Sequence, residues 1–246
     1  MRRSASVVSA LLATLVLAGC VLVPPPAPSP AGAASGFPAN MASHGVLQTD
    51  AGVVTTPEAA AAPVPTTDVG DRIHVVVYVD LLCPFCGQFE ATNGAMLADA
   101  VAAGEVALET HPVSFLDRLS LGTEYSTRAA NLVAAVASLH PEATPAVLRA
   151  LFEQQPAEDT TGLDDDELLA IAAAAGAQSE ALDEAVAAVA FRPFVEAATE
   201  AATTQPLPGD GSPLTGTPTV LVDGARYTGQ PGDAAAFAAA LEAARG

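Results

Sequence analysis

The stretch "HVVVYVDLLCPFCGQF", residues 74–89, carries two cysteines separated by two residues at the end of an apolar run. Residues 73–79 are almost continuously apolar and rich in β-branched side chains, which predicts a strand buried on both faces of a sheet. Residues 86–103 show helical periodicity, and Gly104 is a suitable residue to end that helix. The cysteine pair is therefore expected between a buried strand and the start of a helix.

The remaining chain predicts a definite order of strands and helices. Residues 106–110 predict a second strand, parallel to the first because strand–helix–strand connections are right-handed crossovers. An alanine-rich section follows, in which helices are predicted at residues 123–140, 145–155, 164–176 and 179–202. Asp223-Gly224 then predicts a tight β-hairpin, and residues 233–244 predict a last helix. The fold class is α/β, in the order βαβ, a helical insertion at about 118–203, and ββα.

The N-terminus has the organisation of an export signal. Two arginines precede a short apolar stretch, which ends in the sequence LAGC at residues 17–20. This pattern resembles a bacterial lipoprotein signal, in which cleavage occurs before Cys20 and that cysteine is then acylated. A plain secretory signal and an uncleaved anchor are the alternatives. The expected organisation is a signal peptide at 1–19, a Pro/Ala-rich tether with a short hairpin at 20–68, and a folded domain at 69–246.

Composition limits the possible partners. The chain has 246 residues and a formal net charge of -19, and all nine basic residues are arginine. Such an acidic chain is repelled by nucleic acids and by anionic membrane surfaces, so attachment to a membrane is expected through lipid on Cys20. No second long apolar run follows the signal, and the length suits one domain, expected to be monomeric.

Three chemical roles are possible for Cys83 and Cys86. A disulfide between them would enclose a very short loop and remove little entropy from the unfolded chain, which argues against a structural staple. A zinc site needs about four ligands, and the four scattered histidines show no paired spacing. A c-type haem would require histidine where Gly87 stands. No cofactor is therefore expected, and a redox-active pair is favoured.

The position of the pair supports a redox role. Unpaired amides and the dipole at a helix N-terminus stabilise a thiolate, which is the attacking species in disulfide exchange. Cys83 is expected at this terminus as the nucleophile, and Cys86, one turn further, as the less exposed resolving thiol. Pro84 suits the first turn because it lacks an N–H that would go unused.

The CPFC motif and the later sequence "GTPTVLVDGARYTG", residues 216–229, together resemble the DsbA-like family of thioredoxin-fold thiol–disulfide oxidoreductases, and especially its lipid-anchored exported members. The resemblance covers about residues 69–246. It implies a thioredoxin fold with a helical insertion and a cis bond between Thr217 and Pro218, which turns the Thr217 backbone towards the cysteines and towards an extended substrate. It also implies exported protein substrates with cysteines and an unidentified membrane redox partner.

Two positions depart from the family pattern. Val77 stands where many members carry a buried acid, while Asp80, three residues before Cys83, is the nearest acid in sequence. Asp80 either affects the thiols or caps the helix, and capping is favoured. Phe85 stands where strongly oxidising members often have histidine, so Pro84 and Phe85 are the expected tuning residues of the pair. The non-enzymatic alternative is an exported binding lipoprotein with a permanent Cys83–Cys86 disulfide.

Overall fold

The computed structural model describes residues 36–245. The predicted signal peptide and Cys20 lie outside these residues. The described chain forms one six-stranded mixed sheet, with strands β1 Val46–Thr49, β2 Gly52–Val53, β3 Ile73–Val79, β4 Val106–Pro112, β5 Thr219–Val222 and β6 Ala225–Arg226. The strand order across the sheet is β2-β1-β4-β3-β5-β6.

The two central strands form the predicted parallel pair. β3 and β4 run parallel with Ile73 opposite Val106 and Val79 opposite Pro112, and all but one of the seven β3 residues are buried. Burial on both faces explains why this strand is nearly continuously apolar. β5 pairs antiparallel with β3, and β5 and β6 form the hairpin predicted around Asp223-Gly224.

The helices cover the sheet and form a block of their own. Seven α-helices are described: α1 Pro84–Ala102, α2 Tyr125–Leu139, α3 Thr144–Glu153, α4 Asp165–Ala174, α5 Glu180–Ala187, α6 Arg192–Thr204 and α7 Ala234–Ala244. The helices α2–α6 lie between β4 and β5 in the chain, as predicted. Helix α2 is the centre of this block, because its residues from Ala129 to Ala137 are all almost completely buried and it contacts α3, α5 and α6. The fold is a thioredoxin fold with a helical insertion.

The N-terminal hairpin corrects the expected start of the folded domain. The hairpin at 45–54 forms as predicted, but its first strand also pairs antiparallel with β4, from Val46 opposite Thr110 to Gln48 opposite Leu108. Residues 46–53 thus belong to the central sheet. The start expected near residue 69 is therefore too late, because hydrogen bonding to a distant strand leaves no local compositional signal.

Two details of the helical block were tested by the structure. The helix predicted at 179–202 is wrong as a single element: it breaks between α5 and α6, where Val189 has a φ of 45° and Pro193 lies in the first turn of the next helix. The acidic start of α4 is an N-cap, since Asp164 accepts from the Glu167 amide while the Glu167 carboxylate accepts from the Asp164 amide.

The redox motif lies where the sheet meets this block. β3 ends at Val79 and α1 begins at Pro84. Between them, Asp80 accepts hydrogen bonds from Leu116 in the loop at 115–120 and from Ser126 at the start of α2. Within residues 36–245, none of the helices combines the length and the apolarity required to cross a bilayer.

Candidate active site

Cys83 and Cys86 lie at the start of α1, as the sequence predicted. Cys83 is the N-cap residue in extended conformation, Pro84 occupies the first turn, and Cys86 is one turn further along. The amides of Cys86 and Gly87 both donate to the Cys83 carbonyl, at 3.0 and 3.1 Å. Both cysteines are free thiols, with exposed fractions of 4% for Cys83 and 1% for Cys86.

The two thiols differ strongly in acidity. A hydrogen bond from the Cys86 thiol, together with contacts to Thr217 and to the amides of Cys86 and Phe85, lowers the pKa of Cys83 to about 6. Burial raises the pKa of Cys86 well above its ordinary value, and the neighbouring Cys83 raises it further. At neutral pH Cys83 is therefore mainly a thiolate while Cys86 stays protonated. Disulfide exchange requires such a pair, in which one sulfur is a thiolate and its partner a thiol.

The second predicted motif meets the cysteines in space. The Thr217–Pro218 peptide bond is cis, as the family resemblance implied. The Thr217 carbonyl accepts a hydrogen bond from the Cys83 thiol at 3.2 Å, although the two residues are 134 positions apart in the chain. The loop before β5 therefore forms one wall of the site, and its backbone lies beside the sulfur that would meet a substrate.

Asp80 does not cap α1, and that expectation was wrong. Its side chain is completely buried and accepts hydrogen bonds from the Leu82 amide at 2.8 Å, the Leu116 amide at 2.8 Å and the Ser126 hydroxyl at 2.7 Å. Burial raises the pKa of Asp80 to about 6 against the effect of these hydrogen bonds, and the nearby Cys83 adds to the rise. The carboxylate ties the motif to the helical insertion instead of closing the helix end.

Gln155, just after α3, also contacts the redox motif and was missed by the sequence reasoning. Its side-chain Nε2 donates to the carbonyl oxygens of Leu81 and Cys83, both at 3.0 Å. More than 70 residues separate Gln155 from these partners in the chain. No local pattern marks one glutamine at the end of an amphipathic helix as a neighbour of the cysteines.

Two apolar side chains next to the thiols are exposed to solvent. Pro84 and Phe85 are exposed, and Phe85 leaves 62% of its surface accessible. Among residues 36–245, no three His, Cys, Asp or Glu side chains are grouped so that they could hold a metal ion.

An acidic thiol at a helix N-terminus, a buried partner thiol and a cis-proline loop on a thioredoxin fold together form a candidate thiol–disulfide oxidoreductase centre. A family model described as Thioredoxin matches residues 72–243, which is more than half of the chain. The chain belongs to the DsbA-like thioredoxin-fold family.

Solved structures agree with this assignment. The chain is similar to the reduced disulfide bond oxidoreductase DsbG of Mycobacterium tuberculosis, with 28% identity, a TM-score of 0.61 and coverage of 82% of this chain and 88% of that chain. It is also similar to oxidised DsbA of the same organism, with 29% identity, a TM-score of 0.62 and coverage of 82% and 93%.

A more distant structure shares the fold alone. BdbD of Bacillus subtilis is 17% identical, with a TM-score of 0.62 and coverage of 85% of this chain and 96% of that chain. No curated protein matches the sequence. The structural similarities to DsbA and DsbG support thiol–disulfide oxidoreductase activity for this chain.

Proposed function

We propose that this protein oxidises cysteine pairs in proteins outside the cytoplasmic membrane by donating a Cys83–Cys86 disulfide. The observation that carries the proposal is the asymmetry of the two thiols. The pKa of Cys83 is lowered to about 6, whereas burial keeps Cys86 protonated. A thiolate that is stable in the reduced enzyme is a good leaving group, so the disulfide form is readily reduced by a substrate dithiol.

Oxidation of a substrate proceeds in two exchange steps. A substrate thiolate attacks the Cys83 sulfur of the enzyme disulfide, and Cys86 leaves and takes up a proton. The second substrate thiolate then attacks the substrate sulfur of this mixed disulfide, and Cys83 leaves as the stabilised thiolate. The substrate loses two electrons and two protons in forming its disulfide. The enzyme takes up the two electrons, Cys86 takes up one proton, and the other proton goes to solvent while Cys83 remains a thiolate. In the reverse direction Cys86 resolves the mixed disulfide.

Protein substrates suit the surface around Cys83. The exposed Phe85 and Pro84 offer an apolar contact for the unfolded segment that carries a reduced cysteine. The backbone of Thr217 lies beside the same sulfur and can hydrogen-bond an extended chain. These contacts would hold a substrate thiol at Cys83 while Cys86 stays out of reach.

The proposed place of action follows from the N-terminal sequence. Residues 1–19 would be removed as a signal peptide, Cys20 would carry lipid, and the tether would hold the domain at the outer face of the membrane. A membrane redox protein would reoxidise the dithiol. In the producing cell, Cys20→Ala should abolish labelling by a radioactive fatty acid, and a labelled mature variant would disprove this part of the proposal.

The experiment for catalysis uses protein with Cys20→Ala, so that Cys83 and Cys86 are the only thiols. Cys83→Ser should abolish oxidation of a reduced model protein, and full activity would refute its role as nucleophile. Cys86→Ala, mixed with a disulfide-containing protein, should accumulate mixed disulfides visible on non-reducing gels, because the Cys83 thiolate attacks the protein disulfide and the internal resolving thiol is lost. A permanent structural disulfide would instead stay oxidised in glutathione buffers that equilibrate a catalytic pair.

A further inference from the structure

The helical insertion reaches the redox motif through one neutral side chain. Gln155 lies just beyond the end of α3, and its amide bridges the carbonyl oxygens of Leu81 and Cys83 at 3.0 Å each. Leu81 is 1% exposed, so its carbonyl lies in the protein interior, where an unpaired acceptor is costly. Gln155 thereby spans both sides of the turn that leads from β3 into α1.

The Cys83 carbonyl belongs to the peptide plane that sets the direction of the first turn of α1. The same oxygen accepts from the amides of Cys86 and Gly87, and the amides of Phe85 and Cys86 stabilise the Cys83 thiolate. A rotation of this peptide plane would therefore change how these amides face the sulfur. Gln155 holds the plane from outside the helix, and its donor group places the positive end of a dipole beside the motif.

We propose that Gln155 is a positioning residue of the redox centre: by fixing the Leu81 and Cys83 carbonyls it holds the first turn of α1 in the arrangement that stabilises the Cys83 thiolate. The inference rests on the proposed function, because it assigns a tuning role at the same site. The helical insertion would therefore help to set the acidity of Cys83, in addition to packing against the rest of the domain.

Gly87 supplies an independent geometric argument. A Cβ atom placed on Gly87 would lie 2.4 Å from Oε1 of Gln155, which is too close for the two groups to coexist without movement. Gly87 therefore leaves room on α1 for the Gln155 amide. Glycine weakens a helix interior relative to alanine, so its presence here is consistent with a need for that space.

The test compares Gln155→Leu and Gln155→Glu with the same changes at Gln154, its exposed neighbour. Reduced protein carrying Cys20→Ala is alkylated with iodoacetamide across pH 4–9, and the Cys83 profile is followed by mass spectrometry. Loss of the donors in Gln155→Leu should raise the pKa of Cys83 by about one unit, which lowers its thiolate fraction below the midpoint about tenfold. Gln155→Glu adds a negative charge and should shift the profile further in the same direction.

The reduction potential provides a second readout. A tenfold loss of thiolate stabilisation makes the disulfide less oxidising by about 30 mV, measured against glutathione. Unchanged alkylation profiles and potentials in both Gln155 variants would overturn the proposal, even if their thermal midpoints fell, since a structural role alone moves only stability. Equal shifts in Gln154→Glu and Gln155→Glu would also overturn it, because they would show an effect of charge without the contact.

Gly87→Ala tests the same contact from the other side, with Gly94→Ala in the same helix as the matched control. The atoms nearest to a Cβ on Gly94 belong to the side chain of Glu90, with Oε1 at 2.4 Å, and not to Gln155. Gly87→Ala should shift the Cys83 profile as Gln155→Leu does, and it should add nothing in a Gln155→Ala background. Additive effects in that double variant would contradict the proposal. An ordinary thiol pKa for Cys83 in the unsubstituted protein would count against the proposed function instead.

Discussion

Two carboxylates lie buried in the central part of this fold, and their environments drive their acidities in opposite directions. Asp80 follows β3, is completely buried, and accepts only from neutral donors, with the result that burial raises its pKa to about 6. Glu109 lies in the middle of β4 with 2% of its surface exposed. Burial opposes its ionisation too, but hydrogen bonds from His111 and His74 outweigh that effect and hold its pKa well below the usual range.

The geometry at Glu109 explains the difference. His74 Nε2 lies 2.6 Å from one carboxylate oxygen and His111 Nε2 lies 3.0 Å from the other. The His111 ring also stacks on Tyr78, with 4.4 Å between ring centroids. Depth of burial therefore does not by itself set the charge of a carboxyl group. The hydrogen-bond partners determine whether the carboxyl group ionises. At Glu109 two imidazoles stabilise the carboxylate, whereas at Asp80 two backbone amides and a hydroxyl, beside the Cys83 thiolate, do not offset the effect of burial.

The largest expected effect is the loss of Glu109. Glu109→Ala removes two hydrogen bonds to a buried charged acceptor, each worth about 1.5–3 kcal/mol, and should lower the free energy of unfolding by about 3–5 kcal/mol. Urea unfolding of the reduced protein measures it. Glu153→Ala is the control, because its ion pair with Arg149 is exposed and worth about 0.3–0.5 kcal/mol. If the two variants lost the same free energy of unfolding, the buried contacts of Glu109 would be worth no more than an exposed ion pair.

A smaller loss is expected at Asp80. Asp80→Ala leaves the buried amides of Leu82 and Leu116 without their acceptor, which should cost about 2–3 kcal/mol in the same assay. At neutral pH the loss of stability is smaller than for Glu109→Ala, because an ionised Asp80 is buried without a cationic partner and therefore stabilises the folded state less. A loss larger than that of Glu109→Ala would reverse the ranking of the two sites.

The two carboxylates should also give pH dependences of opposite sign. The raised pKa of Asp80 means that its contribution to stability is full below pH about 4 and is lost as pH rises through about 6. The lowered pKa of Glu109 means that its contribution is full above pH about 4.5 and is lost as pH falls. The deficit of Asp80→Asn should therefore shrink with rising pH, and that of Glu109→Gln with falling pH, in urea titrations at pH 3–7.

The smallest expected effect is on the redox thiol. Asp80 and Cys83 interact electrostatically, so an ionised Asp80 disfavours the thiolate. Asp80→Asn should lower the pKa of Cys83 by less than about one unit, whereas Glu109→Gln should leave it unchanged. Both predictions can be checked by measuring the alkylation rate of Cys83 as a function of pH in the two variants. A shift in Glu109→Gln of the same size would show that the two sites are coupled through the sheet.

Patterns within a few residues explain most of what the sequence predicted. The apolar run at 73–79, the CPFC motif and the Asp223-Gly224 turn are local signals, and the structure has the strand, the helix start and the hairpin where they indicated. The loop containing Thr217 and Pro218 was found through family resemblance, since nothing in its own composition brings it to Cys83.

What the sequence alone determined was the fold class, the order of its elements and the two cysteines as the candidate redox pair. The position of the two cysteines, after a buried strand and at a helix start, could be predicted from hydrophobic periodicity and helix-end chemistry, because both depend on neighbouring residues. Three features became visible only in the folded protein: the hairpin at 46–53 joins the sheet, Asp80 is a buried acceptor, and Gln155 contacts the Cys83 carbonyl. The physical reason is that these contacts join residues far apart in the chain, and the free energy of a buried polar group depends on partners that only folding brings beside it.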